Sequence, residues 1–144
     1  MCIIFDAAIA FVHEHPDTFW CYGNHDLSYL WGAMESGYSY YARETVVSRI
    51  RDLRKAIPPE NSKYIHKIDN VLFSHAGLTE SFVMRHFGKG KVDLDIMIGK
   101  INRMGEEELW QNDSPIWARP QGGDMKMYME METTASAMFT IEIP

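Results

Sequence analysis

Short apolar runs that end in turn-forming residues alternate along this chain with segments of helical periodicity. Residues 18–22 form one such run and stop at a Gly-Asn turn. The run is too short for a helix, so it predicts a strand buried on both faces, as in a parallel sheet. Residues 63–68 and 71–74 predict two further strands joined by an Asp-Asn turn. Strands that alternate with helices place the chain in the α/β class.

Five segments have the spacing of amphipathic helices. They are residues 1–15, 27–34, 44–57, 80–87 and 92–104. The clearest apolar face belongs to the third segment and consists of Val46, Val47, Ile50, Leu53 and Ile57. Glycine favours the end of a helix, and Gly88 therefore predicts the end of the fourth segment.

The C-terminal residues 124–144 have a different pattern from the rest of the chain. Methionines recur at every second position, and a second alternation of apolar residues follows near the end: Met125, Met127, Met129, Met131, Phe139, Ile141 and Ile143. A period of two residues is typical of strands, so this tail predicts a β-hairpin.

Composition excludes several classes of protein. The chain has 144 residues, of which 46% are hydrophobic and 24% charged, as in an ordinary globular domain rather than a disordered or coiled-coil protein. The net charge of −6 disfavours a nucleic-acid partner, since phosphate contacts need clustered Lys and Arg. No apolar run approaches the ~20 residues of a membrane-spanning helix. Two cysteines make no disulfide framework, which predicts a cytoplasmic protein.

Polar side chains follow two of the predicted strands. Asn24, His25 and Asp26 come directly after the first strand, and His75 follows the strand at residues 71–74. Sites in open α/β sheets gather at the carboxyl ends of strands, so these residues are candidates for one crevice. An amide oxygen and a neutral imidazole can bind a metal, and a histidine held by a carboxylate suits acid catalysis. Either histidine taken alone could equally have a structural role.

Taken together, three motifs are similar to those of a known family. Gly-Asn-His-Asp at residues 23–26, Ser-His-Ala-Gly at 74–77, and residues 112–120 occur in the order and at the spacing of the calcineurin-like metallophosphoesterase superfamily. The nearest branch that they resemble is the bacterial form of the Ser/Thr phosphoprotein phosphatases. The resemblance covers residues 5–121 and implies a metallophosphoesterase sandwich, a mixed or parallel sheet with flanking helices.

The resemblance also implies a role for each matching residue. Asn24 and His75 would bind one ion of a two-metal pair of the Mn, Fe or Zn type, and His25 would protonate the leaving oxygen. Asp26 is a local candidate for the carboxylate that orients His25. Arg119 would bind the substrate phosphate, for which its planar guanidinium is suited. The substrate would be a phosphoprotein or a small phosphoester.

Three motifs of the family do not occur in the sequence. They are Asp-x-His and Gly-Asp-x-x-Asp, which supply most ligands of the first metal, and a closing Gly-His-Thr. We therefore interpret residues 1–144 as a single partial domain that lacks the first strands of the sandwich, with residues 124–144 as a divergent tail.

Three functions follow as alternatives. The first is metal-dependent hydrolysis of phosphate monoesters. The second is a non-catalytic remnant or binding module of the same fold, which the missing ligands favour. The third stays within the family and is hydrolysis of dinucleoside polyphosphates. Tyr22 stands where the eukaryotic protein phosphatases carry a phosphate-binding arginine, which disfavours phosphoprotein substrates.

Overall fold

A computed structural model describes residues 2–119 and confirms the α/β class. Six α-helices in this part of the chain are α1 Cys2–Glu14, α2 Asn24–Trp31, α3 Arg43–Ala56, α4 Glu80–Phe87, α5 Leu94–Ile101 and α6 Glu106–Leu109. Its strands are β1 Trp20–Cys21, β2 Ser62–Lys63, β3 Ile65–Ile68 and β4 Val71–Ser74. The hairpin predicted for residues 124–144 lies outside the described residues.

The chain divides into two compact units, with the boundary between Lys63 and Tyr64. Unit 1 contains α1, β1, α2, α3 and β2, and unit 2 contains the remaining strands and helices. The strands form two separate two-stranded sheets, one in each unit. Each unit therefore has its own sheet and its own buried residues.

The core of unit 1 lies between α1 and α3. All five residues of the predicted apolar face on and just after α3 are buried, which confirms that prediction. Val12 of α1 packs in one cluster with Leu53 and Ile57. On the solvent side of the same helix pair, the guanidinium of Arg49 lies 3.1 Å from the carboxylate of Asp6. Apolar burial thus holds the two helices together, and a partly exposed ion pair adds little to it.

The sheet of unit 1 is a short parallel pair. Trp20 of β1 is opposite Ser62 of β2, and the next hydrogen bond runs from Tyr22 N to Lys63 O, at 3.0 Å. The parallel direction agrees with the prediction for residues 18–22. The predicted burial on both faces is wrong, because Trp20 and Cys21 are only partly buried. Since the pair has no further strand beside it in residues 2–119, its faces are less covered than those of a full parallel sheet.

The sheet of unit 2 is an antiparallel hairpin of β3 and β4, joined at the predicted turn. The strand predicted over residues 63–68 is divided, because Lys63 belongs to β2 and β3 begins at Ile65. Ile65 of β3 is opposite Ser74 of β4, and Ile68 is opposite Val71. Asp69 in the turn has a φ of 54°, a left-handed conformation that Asp tolerates better than most residues. The side chain of Asn102, just after α5, accepts hydrogen bonds from the N–H groups of Tyr64 and Ile65 and donates one to Ile65 O. The Asn102 side chain therefore satisfies hydrogen-bonding groups of the backbone at the start of β3.

The helices of unit 2 begin and end where capping residues favour it. Thr79 Oγ1 accepts a hydrogen bond from Phe82 N at the start of α4, and Gly88 ends that helix with a φ of 79°. Asp93 caps α5 in the same way through Ile96 N, so this helix begins two residues later than predicted. Several apolar side chains of unit 2 are fully buried: Ile65, Phe82, Val83, Met97, Ile101, Leu109 and Ile116.

The helices are short. The longest, α3, has 14 residues, fewer than the ~20 that cross a bilayer. Nowhere in residues 2–119 is a helix long and apolar enough to span a membrane.

Candidate functional site

Asn24 and His25 lie in the first turn of α2, directly after β1. The sequence predicted that this helix begins at Leu27, but it begins three residues earlier. The reason is the carboxylate of Asp26, whose Oδ2 accepts a hydrogen bond from Gly23 N at 2.9 Å and so satisfies a backbone donor at the helix start. The histidine is thus held on a helix rather than on a mobile loop.

The side chains of Asn24 and His25 differ in exposure. Asn24 is buried, whereas 62% of the His25 side chain is exposed. Its backbone is held in the helix, and the hydroxyl of Ser28 donates to His25 O at 2.7 Å. The imidazole is therefore within reach of a molecule that arrives from solvent.

A buried carboxylate lies against the exposed imidazole. Nδ1 of His25 is 2.9 Å from Oε1 of Glu35, a residue of the loop that follows α2. Only 3% of the Glu35 side chain is exposed, and Oε1 makes no aligned hydrogen bond with any residue in 2–119. A carboxylate in such a place is unfavourable unless a cation or a hydrogen-bond donor faces it. His25 can be that partner when Nδ1 carries a proton.

Gly37 leaves the space in which this contact forms. A Cβ atom at position 37 would lie 2.8 Å from Oε1 of Glu35 and 2.9 Å from Cε1 of His25. Carbon atoms approach other heavy atoms at about 3.5 Å or more. The backbone of Gly37 is not left-handed, so the need for glycine here is a need for space.

The contact corrects the predicted surroundings of His25. Asp26 is the local candidate for the orienting carboxylate, but its Oδ2 is used at Gly23 N, and Glu35 is the carboxylate at Nδ1. Sequence reasoning missed Glu35 and Gly37. The sequence around them shows an acidic residue two positions before a glycine, in a segment whose pattern predicts a connecting loop. That pattern alone does not indicate a contact with His25.

In unit 2 the structure brings the second and third motifs together. The N–H of Ala76, in the loop after β4, donates to Pro115 O at 2.8 Å. The hydroxyl of Thr79 donates to Asp113 O at 2.7 Å. The hydroxyl of Ser114 is buried and donates to Leu109 O at 2.6 Å, which holds the third motif against the end of α6. These hydrogen bonds join two stretches that are far apart in the sequence.

Asp113 is the charged centre of this junction. Its Oδ2 accepts hydrogen bonds from the guanidinium of Arg85 and, at 2.8 Å, from the hydroxyl of Ser81. Partial burial opposes the charge of the carboxylate, but the hydrogen bonds from Arg85 and Ser81 and the charge of Arg85 outweigh it. The net result is that the pKa of Asp113 is lowered.

Asn in place of Asp113 is expected to reduce the free energy of unfolding by about 1 kcal/mol at pH 7, because a charge-assisted hydrogen bond becomes a neutral one. A lowered pKa stabilises the fold above the ordinary value of 3.8, and this stabilisation is lost as pH falls through the lower folded value. Urea denaturation at several pH values should show the difference between wild type and D113N vanishing in acid.

Asp95→Asn is the matched control for this experiment. Asp95 also pairs with a cation, Lys67, at 2.7 Å, but three quarters of its side chain is exposed. Its loss is expected to change stability by less than about 0.5 kcal/mol. A D113N effect that is no larger than that of D95N, or that persists below the acid range, would contradict the role given to Asp113.

His75 and Arg119 are both exposed in unit 2. His75 follows β4 directly, as predicted, and Arg119 is the last residue of the described range. The predicted meeting of His75 with His25 joins two units and stays a prediction.

The donors in the described residues do not by themselves make a two-metal centre. A divalent ion of the Mn, Fe or Zn type needs about four to six ligands. The resemblance assigns Asn24 and His75, which lie in different units. Residues 2–119 contain no group of three or more His, Cys, Asp or Glu side chains arranged to hold an ion.

No protein-family model, curated protein or solved structure matches the chain. The three motifs and the geometry described above therefore carry the functional argument.

Proposed function

We propose that this chain belongs to the calcineurin-like metallophosphoesterases, as a partial sandwich, and contributes to metal-dependent hydrolysis of phosphate monoesters with His25 as the general acid. The observation that carries this proposal is the exposed imidazole of His25 against the buried carboxylate of Glu35. A carboxylate beside a histidine orients its ring, and an oriented histidine can act as a general acid. It can then donate the proton at Nε2 to a leaving alkoxide.

The other residues would serve binding. Arg119 would contact the phosphate through its guanidinium, and its exposure at the end of the third motif supports this role. Asn24 and His75 would each give one metal ligand, and the remaining ligands would come from outside residues 2–119. The two cysteines make no disulfide framework, which supports a reducing, cytoplasmic setting. Burial raises the pKa of the Cys21 thiol, which makes it a poor nucleophile.

A second candidate function is a non-catalytic binding module of the same fold. The donor set favours it, because the described residues offer no group of three acidic, histidine or cysteine ligands. Such a module would still bind phosphorylated molecules through the exposed guanidinium of Arg119. It would differ from an enzyme in lacking tight metal binding and turnover.

Assays of the purified 144-residue chain separate these candidates. With Mn²⁺ added, we expect saturable release of phosphate from an alkyl monoester and from p-nitrophenyl phosphate, lost on chelation of the metal. A phosphopeptide and a dinucleoside tetraphosphate, assayed in parallel, identify the substrate class. Absence of turnover together with absence of metal binding in calorimetry would reject the enzyme and favour the binding module.

A further inference from the structure

Glu35 is a buried carboxylate whose place in the fold needs an explanation. Its Oε1 is buried and lies 2.9 Å from Nδ1 of His25, while Ser36 approaches Oε2 only at 3.4 Å. A buried carboxylate is costly unless it is compensated, and an acid replaced by a neutral residue would avoid that cost. The residue that faces this oxygen is His25, whose ring is otherwise exposed.

The loop that carries Glu35 is fixed by several contacts within unit 1. The N–H of Tyr38 donates to Glu35 O at 3.0 Å, and the ring of Tyr38 stacks on Tyr29 of α2 with centroids 4.8 Å apart. The hydroxyl of Tyr29 accepts a hydrogen bond from Ser39 N at 2.9 Å. These contacts attach Tyr38 and Ser39 to α2 and connect Tyr38 to Glu35, so they restrict where the carboxylate lies relative to His25.

The contact restricts the protonation of the imidazole. A carboxylate oxygen 2.9 Å from Nδ1 repels a lone pair on that nitrogen and attracts a hydrogen, so the contact favours the tautomer that is protonated at Nδ1. In the neutral ring Nε2 is then the acceptor, and in the imidazolium it is the donor that remains for another molecule. The contact thus favours Nε2 as the nitrogen of His25 that is available for chemistry.

We propose that Glu35 is a positioning residue that fixes the ring and tautomer of His25, and that Gly37 is required because only a hydrogen fits beside the pair. The role in catalysis rests on the function proposed above, but the restriction of the tautomer does not. Glu35 acts through His25 and touches no substrate itself. Unit 1 then contains a histidine–carboxylate pair, His25 and Glu35, and Gly37 leaves the space in which the two side chains meet.

Nitrogen-15 NMR of the full chain tests this assignment directly. Long-range correlations identify the two ring nitrogens of each of the six histidines, and the His25 signals are those lost in His25→Gln. We expect neutral His25 to be protonated at Nδ1 in the wild-type chain. Glu35→Gln keeps an acceptor oxygen and should preserve that tautomer, whereas Glu35→Ala should shift His25 to the Nε2–H form that is usual in water.

Two further variants separate Glu35 from its neighbours. Asp26→Asn keeps the cap at Gly23 and should leave the His25 signals unchanged, which distinguishes the two candidate carboxylates. Gly37→Ala should push the pair apart and reproduce the tautomer shift of Glu35→Ala. Gly99→Ala is its control, because a Cβ there meets only Arg103 at an ordinary 3.7 Å.

The NMR spectra of these variants either support or overturn the role of Glu35. A tautomer shift in Glu35→Ala and Gly37→Ala, with circular dichroism unchanged, supports the assignment even if no phosphate ester is hydrolysed. An Nε2–H tautomer in the wild-type chain, or a shift in Asp26→Asn alone, overturns it. If Glu35→Ala fails to fold, the tautomer of His25 in the wild-type and Glu35→Gln spectra tests the assignment, and both should show the hydrogen on Nδ1. In an active chain, Glu35→Ala should also lower kcat at least about tenfold, as loss of a partner that orients a histidine does, with KM little changed.

Discussion

Glutamine at position 25 is expected to lower kcat/KM for an alkyl phosphate about 10²- to 10⁴-fold, the usual contribution of a positioned general acid. Glutamine keeps the length and polarity of the side chain but cannot give up a proton. The leaving alkoxide would then depart unprotonated. The variant should fold normally, because the His25 ring belongs to neither core cluster of unit 1 and the side-chain amide of glutamine can still donate a hydrogen bond to Glu35.

The dependence on the leaving group distinguishes acid catalysis from binding. A p-nitrophenolate ion leaves readily without a proton, so H25Q should lose much less activity with p-nitrophenyl phosphate than with an alkyl phosphate. His13→Gln is the control, since His13 is another exposed histidine of unit 1, at the end of α1. Equal losses with both esters, or a loss in H13Q of the same size, would contradict the acid role of His25.

The sequence predicts well those parts of the fold that depend on local patterning. The apolar face of α3 is buried throughout, α4 has the predicted bounds and ends at Gly88, and the Asp-Asn turn joins β3 to β4. Each of these features is determined by residues close together in the chain. Helical spacing, a glycine at a helix end and a turn-forming pair act over a few residues, so their signal survives in a single sequence.

The features that sequence reasoning missed depend on contacts between loops. Asp26 is adjacent to His25 in sequence, yet its carboxylate caps Gly23, and Glu35 reaches the imidazole from the next loop. Adjacent residues on a helix point in different directions, about 100° apart, so sequence neighbours seldom share a contact. Only the path of residues 35–39 shows that Glu35 comes back to the start of α2.

In the candidate site, too, local features are predictable from the sequence, whereas contacts between distant residues are not. The order of the motifs predicted that His75 follows a strand, and it does. It did not predict that the second and third motifs are joined by Ala76 N and Pro115 O, because that hydrogen bond is between residues that no local pattern links. A resemblance identifies which residue types recur, whereas the partners of each residue follow from packing.

Alanine in place of Phe82 is expected to lower the free energy of unfolding of unit 2 by about 3–5 kcal/mol, the usual cost of removing a large buried aromatic side chain. Phe82 is fully buried on α4, and its ring lies 4.5 Å from that of His86. Its N–H also donates to the capping Thr79, whose hydroxyl holds Asp113 O. Loss of the Phe82 ring should therefore destabilise α4, whose capping residue Thr79 is hydrogen-bonded to the third motif at Asp113.

Hydrogen exchange measured peptide by peptide, with urea denaturation, checks this prediction. Exchange should accelerate in α4, in α5 and in the segment around Asp113. Phe73→Ala is the matched control, because 46% of Phe73 is already exposed on β4 and its loss should cost about 1 kcal/mol. If Phe82→Ala does not fold, Phe82→Leu retains most of the volume and should show a smaller effect of the same kind. A chain that tolerates F82A as well as F73A would mean that α4 does not hold the third motif in place, and Arg119 would then lose the support that its proposed phosphate contact requires.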